Sequence, residues 1–316
     1  MEHRNITPMT TAGCFAAIMV VLAVLSTYVP FFSMIGFFIM PIPMAIMYMK
    51  FGIRQAILTG VAAGLLMSIT ISPLEAVVQI LMFGTVGIAI GAGFRYEWSP
   101  VKMLFGVTAA FIVTGTLFIG AAYVFMDVNV FTAMQDMFSE MTNEIIAQYE
   151  AGGMSEVQIA ENKQQFKQVQ QLLPSLLPLL FCLATAIVGY LNIKVSQVIL
   201  RRLGFSVQPF LPIRSWEIPR CMIYLYILAI VMNYWGTSRD LEWLHIMGIN
   251  LYQMAFFFIS IEGIAFLFYL LDRHFHVGNG LQALFLISFF VMPVFSYAAF
   301  MAGLFDMLAN YRKKRA

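Results

Sequence analysis

Glu262 is the acidic residue that lies well inside a long apolar segment, away from both of its ends. A charge at the centre of a bilayer costs at least about 2.5–3.5 kcal/mol on insertion scales, so an acid at this position needs a structural or functional explanation. Helical spacing places Glu262 on one face with Ala255 and Tyr269, where a neighbouring helix could approach. Two interpretations stay open: a functionally poised, ligand-binding acid, or a protonated or paired structural acid.

Glu75 and Gln79 are a second polar pair, one helical turn apart at the beginning of another apolar segment. Residues 72–75 also form a capping box with proline at the first helical position, and this structural role explains Glu75 adequately. Gln79 has no such role, and the pair could line an outward-facing polar pocket. Glu75, Gln79 and Glu262 are therefore the candidate ligand-binding residues.

The sequence holds no constellation typical of catalysis. No set of serine, histidine and acid suggests hydrolysis, and no phosphate-binding glycine loop occurs. His274 and His276 flank a phenylalanine beside Asp272, but without further ligands they favour a solvated loop over a metal site. The three cysteines have no metal-like spacing: Cys14, Cys182 and Cys221. We expect no enzyme activity, no metal and no cofactor.

The elements that must position these residues are membrane helices. Of 316 residues, 61% are hydrophobic and 11% charged, whereas a soluble domain carries about a quarter charged residues. Apolar runs long enough to cross about 30 Å of hydrocarbon recur along the chain. They predict spans near 11–29, 31–49, 53–71, 74–94, 101–126, 172–193, 220–236, 244–271 and 281–309. The predicted fold class is an all-α, polytopic integral membrane bundle.

Basic residues in the short connections predict the orientation, because Lys and Arg are enriched in cytoplasmic loops. If the first spans alternate, one side collects Arg4, Lys50, Arg54, Arg95, Lys102, Lys194, Arg201, Arg202, Arg214 and Arg220. Nine spans would place the basic tail outside, so we favour a break of 281–309 at Pro293 into two short spans or a re-entrant pair. We expect the protein to lie in a bacterial cell membrane, to cross it many times and to have the lipid bilayer as a partner.

Segment 127–171, with seven acidic residues and two lysines, then lies outside. Apolar residues recur at helical spacing over 131–149, a glycine pair would stop that helix, and residues 155–158 read as a capping box for a second one. We expect an external helical hairpin, since mere connectors are usually about 2–8 residues. The predicted domains are 1–195, a basic amphipathic cytoplasmic loop 196–219 and a C-terminal membrane extension 220–316.

Small residues mark faces where membrane helices could approach closely. The glycine pairs, each four residues apart, are interpreted as internal packing: Gly60 with Gly64, and Gly87 with Gly91. Ala12 and Ala16 share one face of the first span in the same way. They either pack internally or receive a partner protein.

The whole chain resembles the YybS-like family of uncharacterised bacterial membrane proteins. The residues that carry this resemblance are Pro209-Phe210-Leu211-Pro212, Trp216-Glu217-Ile218-Pro219, Gly303-Leu304-Phe305-Asp306 and Asn310-Tyr311-Arg312. That family has no firm activity to lend, so the resemblance implies a membrane fold and no particular function.

Residues 10–195 also resemble the substrate-binding, or S, component of energy-coupling-factor vitamin transporters. Ala12 and Ala16 match the small-residue motif with which those proteins dock a transmembrane coupling protein, and residues 49–54 resemble the start of their glycine-rich third helix. The resemblance implies an S-component-like six-helix domain that binds a vitamin-like molecule for uptake, with a coupling protein and ATPase subunits as partners. The alternative is a non-transporting membrane scaffold or regulatory protein of the cell envelope.

Overall fold

The computed structural model of the chain describes residues 8–208, 213–275, 288, 292–309 and 311–312, and within these ranges every regular element is a helix. Eight helices in the described ranges are long and apolar enough to cross a bilayer. They are Pro8–Tyr28, Phe32–Phe51, Ile53–Thr70, Pro73–Arg95, Pro100–Phe125, Glu156–Arg202, Cys221–Ser238 and Glu242–Arg273. The all-α polytopic fold class is confirmed, and the protein is a multi-pass membrane protein.

In chain order the helices are α1 Pro8–Tyr28, α2 Phe32–Ile39, α3 Pro41–Phe51, α4 Ile53–Thr70, α5 Pro73–Gln79, α6 Thr85–Arg95, α7 Pro100–Met126, α8 Val130–Ala151, α9 Glu156–Arg202, α10 Cys221–Ser238, α11 Glu242–Phe275 and α12 Pro293–Ala309. A π-helical turn, Ile80–Gly84, joins α5 to α6, and a 3-10 turn, Ile213–Ser215, precedes α10. The predicted break of 281–309 falls largely outside the described residues, and the described helix α12 begins at the proline where that break was placed.

Two compact units divide the chain: Met1–Pro174 with Leu180–Phe210, and Ser175–Leu179 with Leu211–Ala316. The predicted domain limits at 195 and 219 stay predictions. The loop predicted from residue 196, however, begins later, because α9 stays helical to Arg202.

Glycine allows the closest helix crossing in the first unit, between α3 and α6. A Cβ added at Gly87 would lie 2.3 Å from the carbonyl oxygen of Pro41, and one at Gly91 would lie 2.7 Å from that of Ala45. Neither carbonyl can move without the backbone of α3, so glycine is required at both positions. The predicted packing role of this glycine pair is confirmed.

The acidic segment 127–171 forms two helices, α8 and the beginning of α9. Gly153 has a φ of +77° in the turn between them. Ser155 Oγ accepts a hydrogen bond from the backbone N–H of Gln158 at 3.4 Å, as expected for the first residue of a capping box. α9 does not end with the hairpin but continues through the sixth predicted span, for 47 residues in all. At 1.5 Å per residue it is about 70 Å long, so roughly half of it lies beyond the hydrocarbon core.

The second unit is built around α11, which packs against both α10 and α12. The closest approach is between Gly263 of α11 and Gly303 of α12, where backbone meets backbone. Buried apolar side chains flank this crossing on both sides, among them Ile259, Phe300 and Met307. Glycine at both positions lets these two helices cross with their backbones in contact.

Cysteines introduced at positions 155 and 206 are expected to react with a membrane-impermeant thiol reagent from opposite faces of the membrane. The basic connections are expected inside and the acidic hairpin outside. Ser155 and Ser206 are both exposed and lie outside the helices. Because Cys14, Cys182 and Cys221 are exposed, they must first be replaced by serine. Labelling of both introduced cysteines in intact cells would contradict this topology.

Candidate functional site

Gln79 ends α5 where the chain enters the π-helical turn. Its amide nitrogen lies 3.5 Å from Thr27 Oγ1 near the end of α1, a long contact, and its amide oxygen is buried with no hydrogen-bond partner among the described residues. Ser26 Oγ, beside Thr27 in the sequence, is likewise buried without a partner in that part of the chain. π-helical turns inside α-helices occur frequently at functional sites.

Ser26 is held tightly against α2. A Cβ added at Gly36 would lie 2.1 Å from Ser26 Oγ, so glycine at this position leaves room for the hydroxyl as it is placed, and a larger residue would force it to rotate. A buried polar group left without a partner costs about 1–3 kcal/mol, and each case calls for an explanation. We define the outer polar cluster as Ser26, Thr27 and Gln79.

Glu75 lies one turn before Gln79 on the same helix, and its side chain is exposed. Ser72 Oγ accepts the backbone N–H of Glu75 at 3.2 Å, with proline at the first helical position, so the N-cap half of the predicted capping box is confirmed. The polar side chain that contacts Gln79 is Thr27 of α1 instead. Neither Thr27 nor Ser26 was predicted from the sequence as a site residue, although two hydroxyl residues near the end of an apolar span are a detectable signal.

Glu262 belongs to the second unit, where both oxygens of its carboxylate are occupied. Oε2 accepts the backbone amide of Ile218 at 2.6 Å, and Oε1 forms an ion pair with the Arg312 guanidinium. Only 4% of Glu262 is exposed. Its surroundings therefore favour the paired structural acid among the two interpretations of the sequence.

Arg312 also binds a second acid, Asp306, with its Nε at 2.5 Å from Oδ2. A further nitrogen, Nη1, donates to the carbonyl oxygens of Arg214, at 3.2 Å, and Trp216, at 2.8 Å. This one side chain joins α11, α12 and the stretch before α10. We define the ion cluster as Glu262, Asp306 and Arg312, all buried.

Asp306 was missed by the sequence analysis, which treated Glu262 as the acid lying well inside a span. The signal was present, because Asp306 and Arg312 are among the residues that carry the resemblance to the YybS-like family. A cavity of about 40 Å³ adjoins the ion cluster, and Glu217 and Arg220 also line it. Such a polar cavity has room for water.

The residues considered for a metal site do not assemble one in the described part of the chain. Asp272 forms an ion pair with Arg214, and His276 lies outside the described residues. Within residues 8–208, 213–275, 288, 292–309 and 311–312, no group of three or more His, Cys, Asp and Glu side chains could hold a metal ion.

Ala12 and Ala16 face into the first unit and are buried in its main apolar cluster, together with Met19 and Ala23. α1 packs there against α4. Their burial supports internal packing among the two interpretations, and docking of a partner at these two residues stays a prediction.

Comparison with known proteins bears on the family and not on the activity. A family model described as "Predicted membrane protein (DUF2232)" matches residues 17–307. The chain is 21% identical over 297 residues to "Uncharacterized protein YybS" of Bacillus subtilis (strain 168), covering 93% of this chain and 94% of that protein. No solved structure matches the chain. The resemblance to the YybS-like family is confirmed, and the chain belongs to the DUF2232 family of predicted membrane proteins.

Proposed function

We propose that this protein is a membrane-embedded, small-molecule-binding subunit for uptake, similar in role to an S component, and that its ligand binds at the outer polar cluster. The observation that carries the proposal is the buried Gln79 Oε1 at the entry to the π-helical turn, which has no partner among the described residues. Ser26 Oγ, near the end of α1, is likewise buried without a partner in that part of the chain. A ligand that donates hydrogen bonds to both would remove the cost of leaving them unsatisfied.

The expected orientation places this cluster toward the outside. α1 begins on the side with the basic connections, so its end at Ser26 and Thr27 is the outer end. α5 begins at the outer side as well, because α4 crosses from the inside to the outside before it. Gln79 Oε1 can only accept a hydrogen bond, so the ligand must carry an N–H or O–H group. Glu75, exposed one turn away, adds a negative charge that favours a neutral or cationic ligand.

Uptake would require partners, because the sequence has no phosphate-binding loop with which to hydrolyse ATP. A transmembrane coupling protein and ATPase subunits would supply this step. Ala12 and Ala16 are buried, but Gly13 and Ala17 are small residues that α1 leaves exposed, where a partner helix could pack. A Cβ added at Gly13 would meet nothing within 4 Å, so a partner backbone could approach this face closely.

The purified protein is expected to retain a low-mass polar compound that mass spectrometry detects after denaturation. Gln79→Leu and Ser26→Ala should each abolish retention, and neither should melt below the ligand-free unaltered protein, because each removes an unsatisfied polar group and leaves the fold intact. Ser68→Ala is the matched control, since Ser68 is half-buried like Ser26 and its hydrogen bond stays within its own helix, to the Leu65 carbonyl at 2.7 Å.

Retention by Gln79→Leu equal to that of the unaltered protein would contradict the proposed site. Co-purification distinguishes the function itself from the scaffold alternative. ATPase subunits in the isolated complex would support uptake. A stable complex with cell-envelope proteins, free of ATPase subunits, would favour a scaffold or regulator.

A further inference from the structure

α8 carries a row of exposed methionines in the segment that the basic-residue bias places outside the membrane. Met134 is 44% exposed, Met137 69% and Met141 52%. Residues three and four apart on a helix are surface neighbours, with Cβ atoms about 5–6 Å apart. The three thioethers therefore lie along one stripe, within two helical turns.

This stripe is not the face that α8 uses for packing. Ile146 is buried, and Phe138 and Tyr149 are half-buried, on the adjoining face of the helix. Methionine at helical spacing ordinarily fills a core. Here Met134, Met137 and Met141 remain exposed, whereas Phe138, Ile146 and Tyr149 are covered at least in part.

The electrostatic surroundings of the stripe favour a cation. α8 contains no Lys, Arg or His between Val130 and Ala151. Glu140 and Glu144 are exposed acids that lie next to Met137 and Met141 at helical spacing. A cation bound at the stripe would be attracted by these carboxylates, and no described positive side chain on the same helix would compete with it.

We propose that Met134, Met137 and Met141 form a surface site for a soft monovalent cation of the Cu(I) type. Thioether sulfur is a soft, neutral ligand that selects Cu(I), whereas hard ions such as Mg²⁺ and Ca²⁺ take oxygen ligands. Three neutral sulfurs keep the charge of the bound ion at +1, and the neighbouring carboxylates balance it. The site is independent of the outer polar cluster and of any uptake by the protein.

The test uses Ag(I), which shares the charge and the ligand preference of Cu(I), titrated calorimetrically into the full chain in detergent and chloride-free buffer. The exposed cysteines, which would bind Ag(I) as thiolates, are replaced by serine in every variant: Cys14, Cys182 and Cys221. The variant Met134→Leu/Met137→Leu/Met141→Leu keeps the volume and the apolar character of the stripe but removes its sulfur. It should lose one bound Ag(I), or at least tenfold in affinity.

The matched control exchanges three exposed methionines that lie on separate helices: Met9→Leu, Met34→Leu and Met301→Leu. This control should bind Ag(I) as the cysteine-free parent does. Equal binding by the two triple variants, or no binding by the parent, would overturn the proposal. If the stripe were an apolar docking face for another protein, leucine would preserve it, and the two triple variants would bind Ag(I) equally.

Protection from oxidation gives a second readout at the level of single residues. A sulfur that donates its lone pair to a metal is shielded from conversion to the sulfoxide. With Ag(I) present, peroxide should oxidise Met134, Met137 and Met141 more slowly, as peptide mass spectrometry would show, while Met9 and Met34 are unaffected. Equal oxidation of the stripe with and without Ag(I) would also overturn the proposal.

Discussion

Arg312→Met is expected to lower the free energy of unfolding of the second unit by about 3–5 kcal/mol, the cost of breaking a buried ion pair by removing one partner. Arg312 is the counter-charge of two buried carboxylates, Glu262 and Asp306. Methionine fills a similar volume but leaves both buried carboxylates without a counter-charge. The two backbone carbonyls that Arg312 Nη1 contacts would lose that donor as well.

Two matched variants separate the charge effect from the loss of a side chain. Glu262→Gln leaves Arg312 paired with Asp306, so it should cost clearly less than Arg312→Met. Arg214→Met breaks an exposed ion pair with Asp272, and such pairs contribute about 0–1 kcal/mol. Apparent melting temperatures in detergent, followed by tryptophan fluorescence, should fall in the order Arg214→Met least, Glu262→Gln next and Arg312→Met most.

A different order would contradict the structural role of the ion cluster. If Glu262→Gln keeps its melting temperature but abolishes retention of a small molecule, Glu262 is a functional acid after all. If Arg312→Met melts like the unaltered protein, the two carboxylates do not depend on its charge.

The features that could be predicted from sequence are those that local chemistry decides. The eight spans follow from apolar length, since a bilayer requires each backbone polar group to be satisfied within a helix. The caps at Ser72 and Ser155 follow from hydrogen bonds to residues three positions away. These interactions do not depend on how the helices pack, so the pattern of residue types is sufficient.

The features that could not be predicted depend on long-range packing. Glu262 and Arg312 are 50 residues apart in sequence, and helical periodicity cannot show that their helices meet. The change of polarity near residue 171 separates the hairpin from the sixth span in the sequence, but α9 crosses from the acidic segment into the apolar one without a break. Burial of Ala12 and Ala16 was one of two alternatives, because small residues suit an internal neighbour and a partner protein alike.

Gly263→Ala is expected to destabilise the second unit by at least about 3 kcal/mol, at the upper end of what overpacking costs. A Cβ at this position would lie 1.8 Å from the carbonyl oxygen of Ala299, and one at Gly303 would lie 2.0 Å from that of Ile259. Both obstacles are backbone atoms, so no side-chain rotation can relieve the clash and α11 must move away from α12. Gly120→Ala in α7 is the matched control, because its Cβ would meet nothing within 4 Å. It should be neutral or stabilising by up to about 1 kcal/mol, the helix-propensity gain of alanine over glycine.

The glycine crossing and the ion cluster are expected to act as one unit. Gly263 follows Glu262 in α11, and Gly303 lies one turn before Asp306 in α12. Separating the helices at Gly263 therefore also pulls apart the two acids that Arg312 holds, so the alanine variant already forfeits part of that interaction. The double variant Gly263→Ala/Arg312→Met should cost less than the sum of the two single variants, since residues in one network are not additive. A double-mutant cycle in detergent measures this difference, and additivity within about 0.5 kcal/mol would show that the crossing holds without the ion cluster.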